Sequence, residues 1–419
     1  MQIEVVTIGD EVLSGRTLDT NFAYLARALE EASIAVGWHS TVGDEAGRIT
    51  EGLKRALARA DAVIMTGGLG PTPDDLTRKA VAGALGRPLQ LDEGVLEAIR
   101  ERIQRLGRKV PSSVEAQALL PRGATAWQNS LGTAPGILIE HEGKPVILLP
   151  GVPGEMEALA TEFVVPYLRA RSGRAAASFT LRTYGPFETM LQEKIGKLPK
   201  QWPNASLAYL PSWFGVDLRI TVEGDDAEAV NQEAKRAYDD LKSVVNPVVY
   251  AEGGRGMEDV VGELLLERKL RIAAAESCTG GLFTKRLTDT PGSSRYVERS
   301  FVTYSNEAKM QMIGVPPETL SAHGAVSAAV AEAMAVGARR TAGVDFGVGI
   351  TGIAGPQGGS SEKPVGLVFI AVADEKGAAV RKLRFTGTRA AIRERSAQAA
   401  LDMTRRRLLG LSLEPVLES

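Results

Sequence analysis

Apolar and polar positions follow two rhythms along this chain. Short runs of consecutive apolar residues, "IEVVTIGD" near the start and "DAVIMTGG" at 61–68, predict buried strands that each end in a glycine turn. Stretches of helical spacing lie between such runs. In "NFAYLARALEEA", Phe22, Leu25 and Leu29 form one stripe, and "DDLTRKAVAGAL" has the same character. "PGILIE" and "KPVILLPG" predict further strands, and "GEMEALATEFVVPYL" a helix. Strands alternating with helices predict a parallel sheet covered on both faces. Ligands of such sheets bind beyond the carboxyl ends of the strands, where the glycine turns of this chain fall.

Composition shifts near "RARSGRAAAS", residues 169–178. The pattern then predicts strand (179–184), helix (187–195), strand (206–210), strand (216–222), helix (227–242) and strand (248–250), a small two-layer unit. "EGGRG" at 252–256 reads as a linker. A second alternating series follows: "MEDVVGELLLERKL", "RIAAAES", "GLFTKRLTD", "SFVTYSNEAKMQMI", "SAAVAEAMAVGARRT", "VDFGVGITG", "VGLVFIAVAD", "AAVRKLRFTG" and a long helix from about Ala390. No internal repeat points to a solenoid. The expected fold class is α/β, with a three-layer α/β domain over 1–170, a two-layer α/β unit over 171–251 and a second three-layer α/β domain over 252–419.

Composition narrows the function. The 419 residues are 44% apolar and 24% charged, as in a globular enzyme of two or three domains. Net charge is −2 with Lys and Arg spread along the chain, which disfavours nucleic acid as the main ligand. The middle unit lacks a GxxG loop and paired aromatics on adjacent strands, so a spacer or dimerisation role is expected for it rather than RNA binding. One cysteine, Cys278, excludes an internal disulfide and any CxxC metal site. With no signal-like start and no apolar run long enough for a membrane span, a cytoplasmic protein is expected. Only His39, His141 and His323 are present, and that scarcity constrains catalysis.

The stretch "TGGLGPTPDDLT" (66–77) joins a strand to a helix expected to begin near Asp74. Gly67, Gly68 and Gly70 let a ligand approach the main chain, and a helix N-terminus favours a phosphate. No Lys-Ser/Thr follows, so this is not a P-loop, nor is it GxGxxG. Asp74 and Asp75 read either as a helix cap and first-turn acid or as holders of a divalent cation on a nucleotide's phosphates. "NSLGTAPG" (129–136), with Thr133, and "PGVPGEM" (150–156), with Gly151 and Glu155, are further loops able to close the pocket.

"AESCTGG" (275–281) offers two nucleophiles, Ser277 and Cys278, at a strand end before a helix. A catalytic cysteine usually works with a histidine, and this half holds only His323, in a turn-like setting. For Ser277 the candidate base is Lys309 in "FVTYSNEAKMQ". It needs desolvation or a neighbouring cation to lose its proton, with Tyr304 to relay or orient it. "GVGITGIAGPQGG" offers Thr351 and the amides of Gly352 to Gly355 as oxyanion donors. "FTGTRAAIRERS" sets Arg389 and Arg393 four apart on one helix face, either as a charged face or as a phosphate clamp.

These motifs resemble a known family. "GGLGPTPDDLT", "GTAPG" and "LPGVPGEM" are similar to the molybdopterin-binding fold of molybdenum-cofactor biosynthesis proteins. With "IGDEVLSG…DTN" they look like the N-terminal half of the competence/damage-inducible CinA family. "AESCTGG", "YSNEAK", "GITGIAGP" and "FTGTR" resemble its C-terminal half, in order. The resemblance implies a molybdopterin-binding-like N-terminal domain with ADP-ribose pyrophosphatase activity that depends on a divalent metal, Mg2+ or similar. Gly67, Gly68, Gly70, Thr72, Asp74, Asp75, Thr133, Gly151 and Glu155 would line it, with Asp74 and Asp75 as metal candidates.

For the C-terminal half the resemblance implies an amidase without cofactor that hydrolyses nicotinamide mononucleotide to nicotinic acid mononucleotide and ammonia. Ser277 would be its nucleophile and Lys309 its base, with Tyr304 and Thr351 in support. Gly280, Gly281, Asn306, Gly352 and Gly355 would border the substrate, and Arg389 or Arg393 would hold its phosphate. A homodimer is implied as well. The rivals are a molybdopterin- or nucleotide-binding protein with a scaffold C-terminal half, and a DNA-associated competence factor.

Overall fold

The computed structural model describes residues 1–72, 74–111, 114–173 and 175–415. The chain divides into two compact units, Met1–Ser178 with Val222–Gln232, and Phe179–Thr221 with Glu233–Ser419.

The first unit is built on strands β1 (Gln2–Ile8), β2 (Ala35–Val42), β3 (Ala62–Thr66), β4 (Leu89–Leu91), β5 (Leu119–Pro121), β6 (Thr125–Trp127), β7 (Gly136–His141) and β8 (Lys144–Leu149). Its main sheet has the order β2-β1-β3-β8-β7-β6. Alternate residues of its central strands serve opposite faces, as the two-residue period requires. Ile3, Val5, Ile64 and Ile147 pack with Leu25, Leu29, Met156 and Leu159 on one face. Val6, Val63, Met65 and Leu148 pack with Ile49, Leu53 and Val81 on the other. The helices Thr20–Glu31 and Ala46–Arg59 supply much of that cover.

The sheet is mixed, which corrects the expectation of a parallel one. β2, β1, β3 and β8 are parallel, but β7 runs antiparallel to β8. The reason is the two-residue turn between them: Glu142 and Gly143 both have positive φ, 50° and 77°, as a tight hairpin turn of this hand needs. A helix Glu93–Arg105, capped by Asp92 through the Val95 amide, lies between β4 and β5. The apolar pattern gave no expectation for that segment.

Between residues 175 and 252, β9 (Ala175–Thr183), β10 (Ala205–Ser212), β11 (Gly215–Gly224) and β12 (Val249–Glu252) form a sheet of order β10-β11-β9-β12. Leu181, Leu218 and Ile220 pack there with Trp202, Ala237, Tyr238 and Leu241. The larger sheet comprises β13 (Ile272–Glu276), β14 (Val297–Val302), β15 (Phe346–Gly352), β16 (Leu367–Asp374) and β17 (Gly377–Arg384), in the order β14-β13-β15-β16-β17. It too is mixed, because β15, β16 and β17 pair antiparallel. Gly349 explains how the helix Ala328–Ala342 seats on β15: a Cβ there would lie 2.2 Å from the Ala331 carbonyl oxygen. The terminal helix Arg389–Leu409 packs Ile392, Leu401 and Met403 into the same core as Ile272, Val348 and Val368. Among the described residues, no helix is long and apolar enough to cross a membrane.

Candidate active sites

The turn after β13 carries Ser277. Its amide donates to the Ile350 carbonyl at 2.9 Å, so the residue still rides on the strand ladder while its half-buried side chain leaves it. The preceding Glu276 is fully buried and takes three hydrogen bonds, from the Phe283 and Thr284 amides and the Thr284 hydroxyl. It therefore caps the helix Leu282–Asp289 across the turn, satisfying amides that have no partner within the helix. Sequence reasoning assigned Glu276 no role. An acid inside an apolar strand run just ahead of a helix start was the available signal.

Lys309 arrives from the helix Asn306–Ile313, whose N-terminus is capped by the Ser305 hydroxyl through the Ala308 amide. Only 1% of Lys309 is exposed. Its Nζ donates to the Thr303 carbonyl at 2.8 Å and lies 3.4 Å from the carbonyls of Tyr304 and Ser305. It also lies 3.4 Å from Ser277 Oγ. Burial holds the ammonium below its ordinary pKa of 10.5, because the charged form is the one that loses hydration. Cys278 is 5% exposed, and burial pushes its thiol up to about 12. A thiol in that state is protonated at neutral pH and inert as a nucleophile. His323 is exposed at the end of the helix Pro317–His323, and its backbone carbonyl accepts from Lys363.

The arginine loop closes over the same turn. Arg389, exposed, donates to the Gly355 carbonyl at 2.8 Å and to the Tyr304 hydroxyl at 3.0 Å. Arg393 donates twice to the Thr279 carbonyl, at 3.2 and 2.7 Å. All four C-terminal motifs thus converge. Asn306 is exposed at the start of its helix, and Gly280 and Gly281 form the turn after Ser277 with positive φ.

Two expected roles fit the geometry poorly. The Tyr304 phenol bonds Arg389, and it is the Tyr304 backbone, not its hydroxyl, that meets Lys309. The Thr351 hydroxyl donates to the Ala325 carbonyl at 2.8 Å, which uses its only proton. Gly352 is still part of β15, paired with Val368, and the next amide, Ile353, already donates to Leu367.

In the first unit, the loops after β3 and β8 meet. Gly67 has φ of +115°, and a Cβ there would lie 2.2 Å from the Ile8 carbonyl oxygen, so glycine is demanded twice over. The Thr66 hydroxyl donates to the Pro150 carbonyl, while Asn21 Nδ2 donates to Thr66 Oγ1 and to the Gly151 carbonyl. Buried Arg78 donates to the carbonyls of Leu69, Gly70 and Gln117, bracing the glycine loop from below. Neither Asn21 nor Arg78 was a sequence candidate. Each is a polar residue whose burial only the packed loops reveal.

The helix after this loop begins at Thr77, not near Asp74. Thr77 turns its hydroxyl back to the Gly67 carbonyl, and Gly68 stands against the Thr77 side chain. Asp75 accepts from the Thr72 amide at 2.8 Å and the Thr72 hydroxyl at 2.5 Å, closing the loop instead of capping a helix. Asp74 is exposed. Among the described residues no group of three or more His, Cys, Asp or Glu side chains is placed to hold a metal ion. Asp74 can supply one carboxylate, which suits a cation that arrives on a diphosphate rather than one caged by protein.

Glu155 is held by Asn129 Nδ2 at 2.7 Å, and Asn129 Oδ1 accepts the amides of Leu131 and Gly132. Thr133 lines a cavity of 780 Å³ together with Asn129, Gly132, Arg102, Arg105 and Phe163. The glycines of residues 67–70 are not in that lining.

The fold and its loop sets define a mixed α/β protein with loop sites at the strand ends of two large sheets. Residues 4–170 match the probable molybdopterin binding domain, 178–251 the damage-inducible protein CinA KH domain, and 255–408 the CinA C-terminal domain. A putative competence-damage inducible protein of Acetivibrio thermocellus is 42% identical over 98% of this chain and 100% of its own length. A CinA-like protein of Gemmatimonas aurantiaca is 44% identical over 97% and 96%. The chain belongs to the CinA family. Among solved structures, that of the protein CinA with unknown function from Thermoplasma acidophilum is 37% identical and covers 38% of this chain and 94% of its own, with a TM-score of 0.36.

Proposed function

We propose that the C-terminal domain is an amidase that converts nicotinamide mononucleotide to nicotinic acid mononucleotide and ammonia. The observation that carries this reading is the buried Lys309 amine 3.4 Å from Ser277 Oγ. A neutral amine there accepts the serine proton as Oγ attacks the carboxamide carbon, and returns it to the departing nitrogen, which leaves as ammonia. Water then attacks the nicotinoyl ester, giving up one proton through the same amine to Ser277 and leaving nicotinic acid mononucleotide, whose carboxyl proton passes to solvent. Arg389, exposed at the start of a 21-residue helix whose N-terminus favours anions, is the better partner for the substrate phosphate. Arg393 is less exposed, half-buried against the Thr279 carbonyl. The test is ammonia release from nicotinamide mononucleotide by wild type, Ser277→Ala, Cys278→Ala and Lys309→Met. Loss in the serine and lysine variants with retention in Cys278→Ala supports the reading, and full activity in Ser277→Ala overturns it.

A second activity, hydrolysis of the ADP-ribose diphosphate, is proposed for the N-terminal domain, on the strength of the Gly67–Gly70 loop and the exposed Asp74 beside it. A divalent cation, Mg2+ or similar, held by Asp74 and the substrate phosphates would neutralise the diphosphate charge. Asp74→Asn and chelation are each expected to abolish AMP formation from ADP-ribose, measured by chromatography. Unchanged AMP formation under both conditions counts against this assignment.

A further inference from the structure

The β10–β11 turn reaches the two helices that frame the Ser277 turn. At its tip, the Arg395 guanidinium stacks 4.6 Å above the Trp213 ring, and the Arg286 guanidinium lies 4.8 Å from the Phe214 ring centre. The Phe214 carbonyl accepts from Gln398 Nε2 at 3.0 Å, and Gln398 Oε1 in turn accepts from Arg286 at 2.7 Å. Arg286 belongs to the helix that Glu276 caps, and Arg395 and Gln398 belong to the helix that begins with Arg389. One tight turn therefore holds both helices at once.

The connection to the site is short. Arg395 Nη1 donates to the Thr386 carbonyl at 3.1 Å, three residues before Arg389. The intervening Gly387 has φ of +115° and Thr388 caps the helix through the Ala391 amide, so this segment turns sharply just where the arginine is launched. A cation held on an aromatic face is restricted in where its remaining donors point. Trp213 thereby restrains Arg395, Arg395 restrains Thr386, and the loop presents Arg389 to Gly355 and Tyr304.

We infer that Trp213 is a positioning residue for the amidase site, acting through Arg395 and the 386–389 loop on the phosphate-binding arginine. The inference rests on the amidase reading for its kinetic consequence but not for its structural one. Arg389 would contact the substrate phosphate, remote from the scissile amide. Loosening it removes binding common to the ground and transition states, so KM rises while kcat holds.

The test uses the full chain with Trp213→Ala, Trp213→Tyr and Arg395→Gln. Trp213 is 51% exposed, which favours normal folding of its variants. Hydrogen exchange of the amides that anchor the 386–389 loop, Phe385 on the Gly366 carbonyl and Ala391 and Ile392 on Thr388, read by mass spectrometry, is expected to quicken about fivefold in Trp213→Ala and Arg395→Gln, the scale of one exposed cation–π contact. KM for nicotinamide mononucleotide is expected to rise by about the same factor with kcat within about twofold, and Trp213→Tyr to restore both. Unchanged exchange in both disrupting variants overturns the inference, as does a fall in kcat with KM constant. If the wild type releases no ammonia, the amidase reading fails, and the exchange data still decide whether Trp213 orders the loop.

Discussion

A lysine sealed from water beside a serine hydroxyl owes its proton affinity to where it sits. Burial lowers the pKa of Lys309 below 10.5, so the neutral, proton-accepting form gains population at moderate pH. kcat/KM is therefore expected to climb with pH through the Lys309 pKa and to level off before 10.5, a limb that Lys309→Met abolishes along with activity. The same burial links stability to pH. Between the folded and unfolded pKa values the unfolded chain binds the extra proton, so stability rises with pH across that window. The difference in melting temperature between wild type and Lys309→Met is expected to shift in favour of wild type as pH is raised through it. Cys278, with its thiol pushed up to about 12, is expected to tolerate Ala with activity within a few-fold of wild type.

At the scale of elements, both candidate sites sit where strands hand over to helices, and each handover depends on one residue. Glu276 holds two amides and a hydroxyl of the following helix. Glu276→Ala leaves buried donors unpaired and is expected to lower stability by about 3 kcal/mol, checked by urea denaturation. In the first unit Gly67→Ala would place a methyl group against the Ile8 carbonyl at a φ alien to alanine. It is expected to destabilise the first unit by more than about 1 kcal/mol and to abolish ADP-ribose hydrolysis, with a calorimetric transition as the readout. Most of these elements were legible in the sequence because buried strands and amphipathic helices leave periodic signatures. Strand direction was not legible. Periodicity marks a strand as buried without saying which way its neighbour runs, and it took the Glu142–Gly143 turn, the two-residue turn from β16 to β17 and the helix-free 14-residue connection from β15 to β16 to make the sheets mixed.

For the whole molecule, Ser277 and the Gly67–Gly70 loop belong to different compact units. Ser277→Ala is therefore expected to leave the proposed ADP-ribose hydrolysis within about twofold of wild type, and Asp74→Asn to leave ammonia release equally intact, since independent sites with no shared partners behave additively.

The sequence by itself determined the residue types of the chemistry. With three histidines and one cysteine, Ser277 and Cys278 stood as candidate nucleophiles of the C-terminal half and Lys309 and His323 as candidate bases. The family resemblance favoured Ser277 with Lys309, and glycine loops at strand ends marked where ligands approach. Sequence could not tell Arg389 from Arg393, because helical spacing puts both on one face. Tertiary structure gives them different surroundings: Arg389 is exposed and bound to Tyr304 and Gly355, while Arg393 is half-buried on the Thr279 carbonyl. It likewise withdrew the Thr351 hydroxyl by pairing it with Ala325, and joined Trp213 to Arg395 across 182 positions of chain. Periodicity reports which residues are buried; only packing decides which buried or bonded atom meets which, and the meeting of Lys309 with Ser277 depends on that choice.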